Sequence, residues 1–148
     1  MNLPQDFVTK FEQLLGPKRA AELFASLATT PKKAFRLNPL KPNYQQVSYS
    51  LESPVKAIPD AYYGSINGNE VEQLAGFVYS QDPSAMFVVT ASQIKPGDVV
   101  LDLCAAPGGK STQIASQLAQ EGLLVSNEIN AKRAKILLEN IERWGISN

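Results

Sequence analysis

Hydrophobic residues in the first thirty positions recur at helical spacing. Phe7, Phe11, Leu14 and Leu15 stand at i, i+4, i+7 and i+8, which predicts one apolar helix face. Gly16-Pro17 breaks the pattern, and Pro17 suits the first position of a second helix whose face carries Phe24, Leu27 and Ala28. From Pro31 to about Ile94 the texture changes. Turn formers crowd "NPLKPN", "SPVKAIPDAYYGSINGN" and "SQDPS", and short strands with turns are predicted there. "AGFVYSQD" reads as one such strand. Asp82 as N-cap and Pro83 at the first helical position then open a helix through "AMFVVTASQI".

A third texture begins at "KPGDVV". Val99 to Leu103 is a near-continuous apolar run of the kind buried in a parallel sheet. Gly108-Gly109 opens a helix with Ile114, Ala115 and Leu118 on one face, and Gly122 is expected to end it. Leu123 to Ile129 predicts a second strand. A last helix follows, with Ala134, Leu137, Leu138, Ile141 and Trp144 as its stripe and Gly145 at its end. The fold class is therefore α/β: the opening β-α-β-α of a Rossmann-like sheet, preceded by a small α+β amino-terminal module. The expected division is 1–94 and 95–148. Two parallel strands leave an edge and a face unfinished, so the chain is expected to be part of a longer protein.

Composition narrows the chemistry. Of 148 residues 44% are hydrophobic and 19% charged, with a formal net charge of zero, which describes a globular protein without a global basic field. One cysteine and no histidine exclude an internal disulfide, a Cys/His zinc site and a His-activated nucleophile. No metal site is expected. The first residues carry Asp6 and Glu12 and lack the apolar core of a signal peptide. No apolar run approaches the roughly 20 residues that span a bilayer. The expected location is the cytoplasm, away from membranes.

The stretch "VVLDLCAAPGGKSTQIA" is a strand, a turn and a helix start that together cradle a nucleotide-like ligand. Gly109-Lys110-Ser111 matches the end of a phosphate loop. That loop needs glycine where Cys104 stands, and Pro107 has no N–H to offer a phosphate. A dinucleotide fingerprint fails as well, because the glycines are adjacent. Its acidic partner is nevertheless present: Glu128 lies 20 residues after Gly108, where a carboxylate accepts the ribose hydroxyls of an adenosine. S-adenosyl-L-methionine, with an adenosine and no phosphate, satisfies both statements. The turn's N–H groups would meet its carboxylate and Asp102 its ammonium. Glu128 has a plainer alternative as a cap for the helix beginning near Asn130, and Asp82 and Ser84 either cap their helix or line the pocket.

"LDLCAAPGGKSTQIA" and "VSNEINAKRAKILLENIERWGISN", preceded by "FRLNPLK" and "GFVYSQDPSAM", resemble the Sun (or Fmu) family of RNA cytosine-5 methyltransferases from Phe35 to Asn148. The resemblance implies that Cys104, Ala105, Ala106, Pro107, Gly108, Gly109 and Lys110 form the methyl-donor loop. It also implies that Glu128 and Arg133 serve the donor and that Arg36, Asn38 and Lys41 belong to an RNA-binding signature. The family's reaction uses a cysteine thiolate on C6 of cytosine and a second cysteine, both in later segments. Cys104, expected to be a small half-buried residue with an inert thiol, does not replace them, so no catalytic residue is assigned and the chain alone is expected to be inactive.

No acidic residue lies between Glu22 and Glu52, whereas Lys32, Lys33, Arg36 and Lys41 fall there with Tyr44 and Tyr49. This is either a solvated surface or a patch for RNA phosphates. With the resemblance, Lys32, Lys33, Arg36, Asn38 and Lys41 are the expected RNA contacts. The resulting expectation is an enzyme that methylates RNA, ribosomal in particular, and is monomeric at full length. The alternatives are a nucleoside-triphosphate-binding domain and a free-standing RNA-binding module.

Overall fold

A computed structural model describes residues 2–147. Met1 and Asn148, the last residue of the resembling segment, lie outside the described residues. By its contacts the chain divides into two units, one ending at Pro31 and one beginning at Lys32. The boundary expected near Ile94 falls inside the second.

The first unit is a helical pair, α1 (Gln5–Leu15) and α2 (Pro17–Leu27). Gly16 joins them at φ +75, giving its N–H to the carbonyl of Glu12 at the end of α1 and its own carbonyl to Ala20 in α2. That positive φ is why glycine stands there. Phe7 packs on Phe11 and on Phe24, with ring centroids 4.5 and 6.1 Å apart, so the aromatic residues of the predicted faces hold the pair together. Leu14, on the predicted apolar face, is 66% exposed.

The second unit begins with a three-stranded antiparallel sheet ordered β2 (Ala61–Tyr63), β1 (Ala34–Leu37), β3 (Val78–Ser80). The central strand is buried on both faces. Phe35 and Leu37 join Val78, with Tyr44, Tyr49 and Phe77 packed around them, while Ala34 belongs to a cluster with Val55, Ile58, Ala61 and Met86. A one-turn helix, α3 (Val71–Leu74), precedes β3 and was not predicted. Helix α4 (Pro83–Ala91) starts as expected, with the Asp82 carboxylate accepting the Ser84 N–H at 2.8 Å.

The two remaining strands, β4 (Val99–Asp102) and β5 (Leu123–Ser126), pair in parallel with Val99 opposite Leu123 and Asp102 opposite Ser126. Helix α5 (Gly109–Leu118) crosses between them and α6 (Ala131–Trp144) follows. Val100 and Leu124 pack on Val89, Ile114 and Leu118. The alternate residues are open: Val99, Leu101, Leu123 and Val125 are 46–76% exposed. One sheet face is thus covered and the other bare, as the unfinished sheet predicts. Helix α5 ends earlier than expected. Ala119 caps it in the left-handed conformation, and Gly122 instead serves the turn into β5, where a Cβ would stand 2.3 Å from the Asp98 carbonyl. In α6 the buried residues are Leu137, Asn140 and Trp144, whereas Leu138 of the predicted stripe is 55% exposed.

Candidate functional site

The segment from Leu103 to Lys110 leaves the end of β4 and returns into α5, and four of its carbonyls are held by side chains. The Leu103 carbonyl accepts from Asn127 Nδ2 (2.9 Å), that of Ala106 from Arg133 (2.6 Å) and that of Pro107 from Asn140 Nδ2 (2.6 Å). The Gly109 carbonyl accepts from Arg36 (3.0 Å) and from the Thr112 hydroxyl (3.1 Å). No side chain caps the start of α5. The N–H groups of its first turn, which have no partner within the helix, are left for something else. Gly108 makes this path possible: its φ is +118, and a Cβ there would meet Asn140 Cβ and Leu137 Cδ1 at 3.3 Å.

Below the loop a chain of hydroxyls ties three elements together. The Ser111 hydroxyl donates to Asp102 Oδ2 at 2.8 Å and accepts from Ser126 at 3.0 Å. Asp102 is 9% exposed, and its Oδ1 has no hydrogen-bond partner among the described residues. The strand ladder continues past β4 and β5, with the Asn127 N–H on the Asp102 carbonyl and the Ala105 N–H on the Asn127 carbonyl. Both strand ends are therefore fixed side by side, with the loop above them.

Glu128 stands at the end of β5 with its side chain only 4% exposed. Its Oε1 accepts the Asn130 N–H at 2.9 Å, and its Oε2 pairs with Arg133 at 3.3 Å. The cap of α6 is Asn130 itself, whose side chain accepts from the N–H groups of Lys132 and Arg133. Arg133 thus joins Glu128 to the Ala106 carbonyl and sets the distance between strand end and loop. Each carboxylate oxygen has a second acceptor site for a hydroxyl. Lys110 is exposed beside a cleft of about 200 Å3 lined by Tyr79, Gln81, Ala105, Pro107 and Gly109. A groove of about 350 Å3 runs past Ser126, Glu128 and Leu137. A cavity of about 260 Å3 at Asp60, Gln113 and Gln117 includes no residue of the loop.

Several expectations are corrected. Cys104 is exposed rather than half-buried, because it leaves the sheet on the bare side, beside Leu103, which is 64% exposed. Arg36 and Asn38, expected at RNA phosphates, are 2% and 0% exposed. Arg36 donates to Gln81 Oε1 (2.7 Å), Gly109 and Thr112. Asn38 donates to the carbonyls of Gly76 (2.7 Å) and Trp144 (2.8 Å) and accepts from Leu40 N–H. Neither side chain reaches a phosphate. Lys32 and Lys33 are exposed, Lys32 over the Tyr63 ring at 5.6 Å, and Lys41 is half-buried near Gly145. Tyr44 and Tyr49 pack on the core and donate to Asp60 and Glu70, and Glu72 binds Ser48. Acidic residues remote in sequence therefore fold back beside the basic run. Burial and the neighbouring carboxylates push the Tyr44 and Tyr49 phenols above their ordinary value.

The residues that sequence reasoning missed are the ones that brace the loop: Gln81, Thr112, Asn127 and Asn140. Their signal was weak, since polar side chains on helices and after strands ordinarily face water. The phosphate-loop alternative also loses ground here. The Ser111 hydroxyl, which would have to reach a magnesium ion, is fully buried and engaged with Asp102 and Ser126.

Comparison with known proteins accords with this geometry. Residues 3–83 match the family model of the N-terminal domain of 16S rRNA methyltransferase RsmF. The chain belongs to that family. Residues 89–148 match the family model of the RsmB/F 16S rRNA methyltransferases. Ribosomal RNA small subunit methyltransferase F of Vibrio cholerae is 34% identical over 163 aligned residues, covering 100% of this chain and 34% of that protein. The Vibrio parahaemolyticus protein of the same name is 35% identical, covering 99% and 34%. The chain spans about a third of the length of the curated relatives it matches. Among solved structures, a methyltransferase homologue from Pyrococcus horikoshii superposes with a TM-score of 0.83 at 25% identity, covering 99% of this chain and 51% of that one. NSun6 from Pyrococcus horikoshii, solved with SFG, gives 0.75 at 17% identity over 98% and 64%, a likeness of fold. The RsmF-family chain thus carries the α/β fold and the family membership that its motifs implied.

Proposed function

We propose that the protein methylates ribosomal RNA at cytosine C5, and that this chain supplies the first half of the methyl-donor pocket. The observation that carries the reading is the loop: the carbonyls of Leu103, Ala106, Pro107 and Gly109 are all held by side chains, and the first turn of α5 has no side-chain cap. Such a turn accepts a carboxylate. Glu128, nearly buried at the neighbouring strand end, accepts the ribose hydroxyls, and Asp102 Oδ1 accepts the ammonium. A ligand with an adenosine, an amino acid and no phosphate fits this donor and acceptor set, which is S-adenosyl-L-methionine. When bound, it supplies an electrophilic methyl group on sulfur.

The chain's own contribution is orientation. Arg133 holds Glu128 in register with the loop, and the Ser111 hydroxyl, donating to Asp102 Oδ2, fixes the Asp102 side chain at the end of β4. Cys104 is the one cysteine of these 148 residues and histidine is absent. The resemblance to the Sun family gives the thiolate attack on cytosine to cysteines of later segments, and Cys104 takes its place in the donor loop. RNA is held in part by Lys32, Lys33 and Lys41, acting on phosphates. Among the described residues no helix is long and apolar enough to cross a membrane, and no cluster suits a metal. We further infer a cytoplasmic protein, monomeric at full length.

The test is methyl transfer by the full-length protein from tritiated donor to 16S rRNA, followed by nucleoside analysis. Label in 5-methylcytosine, abolished by Glu128→Ala, is the expected result. Label absent from RNA, or present in another nucleoside, would refute the assignment.

A further inference from the structure

Arg36 is a buried cation in the middle of a sheet, and among the described residues no carboxylate makes a direct ion pair with it. The ion pair at the site, Arg133 with Glu128, does not include it. Asp60 and Tyr79 act on it only through space. Its guanidinium lies between the rings of Trp144 and Tyr79, 5.1 and 5.7 Å from their centroids. Burial lowers its pKa to about 9, so it remains charged at neutral pH. Its hydrogen bonds go to neutral acceptors, and two of them are at the start of α5: the Gly109 carbonyl and the Thr112 hydroxyl. The third, to Gln81 Oε1, fixes an amide whose Nε2 is buried without a partner against the same Gly109.

A positive charge at this place opposes the helix dipole, whose N-terminal end is itself positive. Packing alone would be served by a neutral side chain there. The arrangement is instead suited to attract an anion at the outer side of the same turn, in a site of low dielectric.

We propose that Arg36 is a positioning residue for the donor loop: it fixes the Gly109 carbonyl so that the first-turn N–H groups of α5 face outward, and it supplies beneath them the positive charge that the ligand's carboxylate neutralises. This rests on the donor-site reading above. Arg36 of the Arg-x-Asn signature then serves the ligand's amino-acid end rather than RNA, while Asn38 ties β1 to Gly76 and Trp144.

The experiment compares two ligands that differ only at that end. S-adenosylhomocysteine carries the amino acid, whereas 5′-methylthioadenosine keeps the adenosine and lacks the carboxylate. Kd is measured by calorimetry for both on the wild-type protein and on Arg36→Gln, Arg36→Lys and Thr112→Val, with folding checked by thermal melting. Arg36→Gln is expected to weaken S-adenosylhomocysteine about tenfold or more, the scale of losing charge-assisted hydrogen bonds. Methylthioadenosine is expected to change by less than about twofold, because Glu128 is untouched. Lysine keeps the charge and loses the planar fork, so an intermediate loss follows. Thr112→Val removes one leg of the clamp while leaving the cation, and about a threefold loss confined to S-adenosylhomocysteine is expected. Should Arg36→Gln fail to fold, the ratio of the two affinities in Thr112→Val decides. An equal loss for both ligands, or none for S-adenosylhomocysteine in a folded variant, overturns the role of Arg36 alone. Wild-type protein that binds neither ligand overturns the donor site and this inference with it.

Discussion

Replacing Gly108 by alanine puts a number on how far the loop depends on one backbone position. Gly108 has φ +118 and ψ 3, outside the regions that L side chains favour, and a residue held in such a conformation costs about 1–3 kcal/mol. The new Cβ would also stand 3.3 Å from Asn140 Cβ and from Leu137 Cδ1. Both belong to α6, which Trp144 anchors to α5 through its Nε1 on the Ser116 hydroxyl at 3.0 Å, so they have little room to retreat. Overpacking of this kind adds about 1 kcal/mol at the low end of its range. A loss of about 2–4 kcal/mol follows, a large share of the ~5–15 kcal/mol that stabilises a domain. Urea unfolding followed by the fluorescence of Trp144, the single tryptophan and 1% exposed, reads it directly. Gly68→Ala is the control, since nothing lies within 4 Å of a Cβ there and its φ is ordinary. A Gly108→Ala protein within about 0.5 kcal/mol of wild type, or one no less stable than Gly68→Ala, would refute the reasoning.

Glu128→Ala is expected to weaken S-adenosylhomocysteine binding by about tenfold or more, read by calorimetry, because ribose hydroxyls lose a charged acceptor; unchanged affinity would remove Glu128 from the site. Replacing Lys32, Lys33 and Lys41 together by serine is expected to weaken RNA binding and to lower the slope of log affinity against log salt by up to about 2–3, at roughly 0.7–0.9 per lost phosphate contact. An unchanged slope in filter binding across a salt series would return these lysines to ordinary surface. Asn38→Ala is expected to behave oppositely: it orphans the buried carbonyls of Gly76 and Trp144 and costs about 2–4 kcal/mol in urea unfolding, while the RNA salt slope stays put. A stable Asn38→Ala protein with weakened RNA binding would reverse that assignment.

The order of elements was legible because hydrophobic spacing reports which face is buried, and the α/β crossover from β4 to β5 needs little more than two apolar runs and a glycine turn. The caps at Asp82 and Gly145 follow from local chemistry and stand where expected. What was hidden depends on residues far apart in the chain. Arg36 reads as a surface cation among turn formers, yet its partners Gln81 and Gly109 lie 45 and 73 residues on, and both faces of its strand are covered. Asn38 meets Trp144 across 106 residues. The acid-free run from Glu22 to Glu52 likewise gave no sign that Asp60, Glu70 and Glu72 would fold against it. In the loop, sequence identified which residues form the turn, and hydrogen bonds from Arg133, Asn127 and Asn140 determine which way its carbonyls point.

The most direct test of the central claim is a calorimetric titration of the folded chain with S-adenosylhomocysteine, with ATP–Mg as the parallel titrant. Binding of S-adenosylhomocysteine without binding of ATP is the expected result, because Pro107 has no N–H to offer a phosphate and the Ser111 hydroxyl is engaged with Asp102 and Ser126. Binding of ATP alone would contradict the account and restore Gly109-Lys110-Ser111 as a phosphate loop.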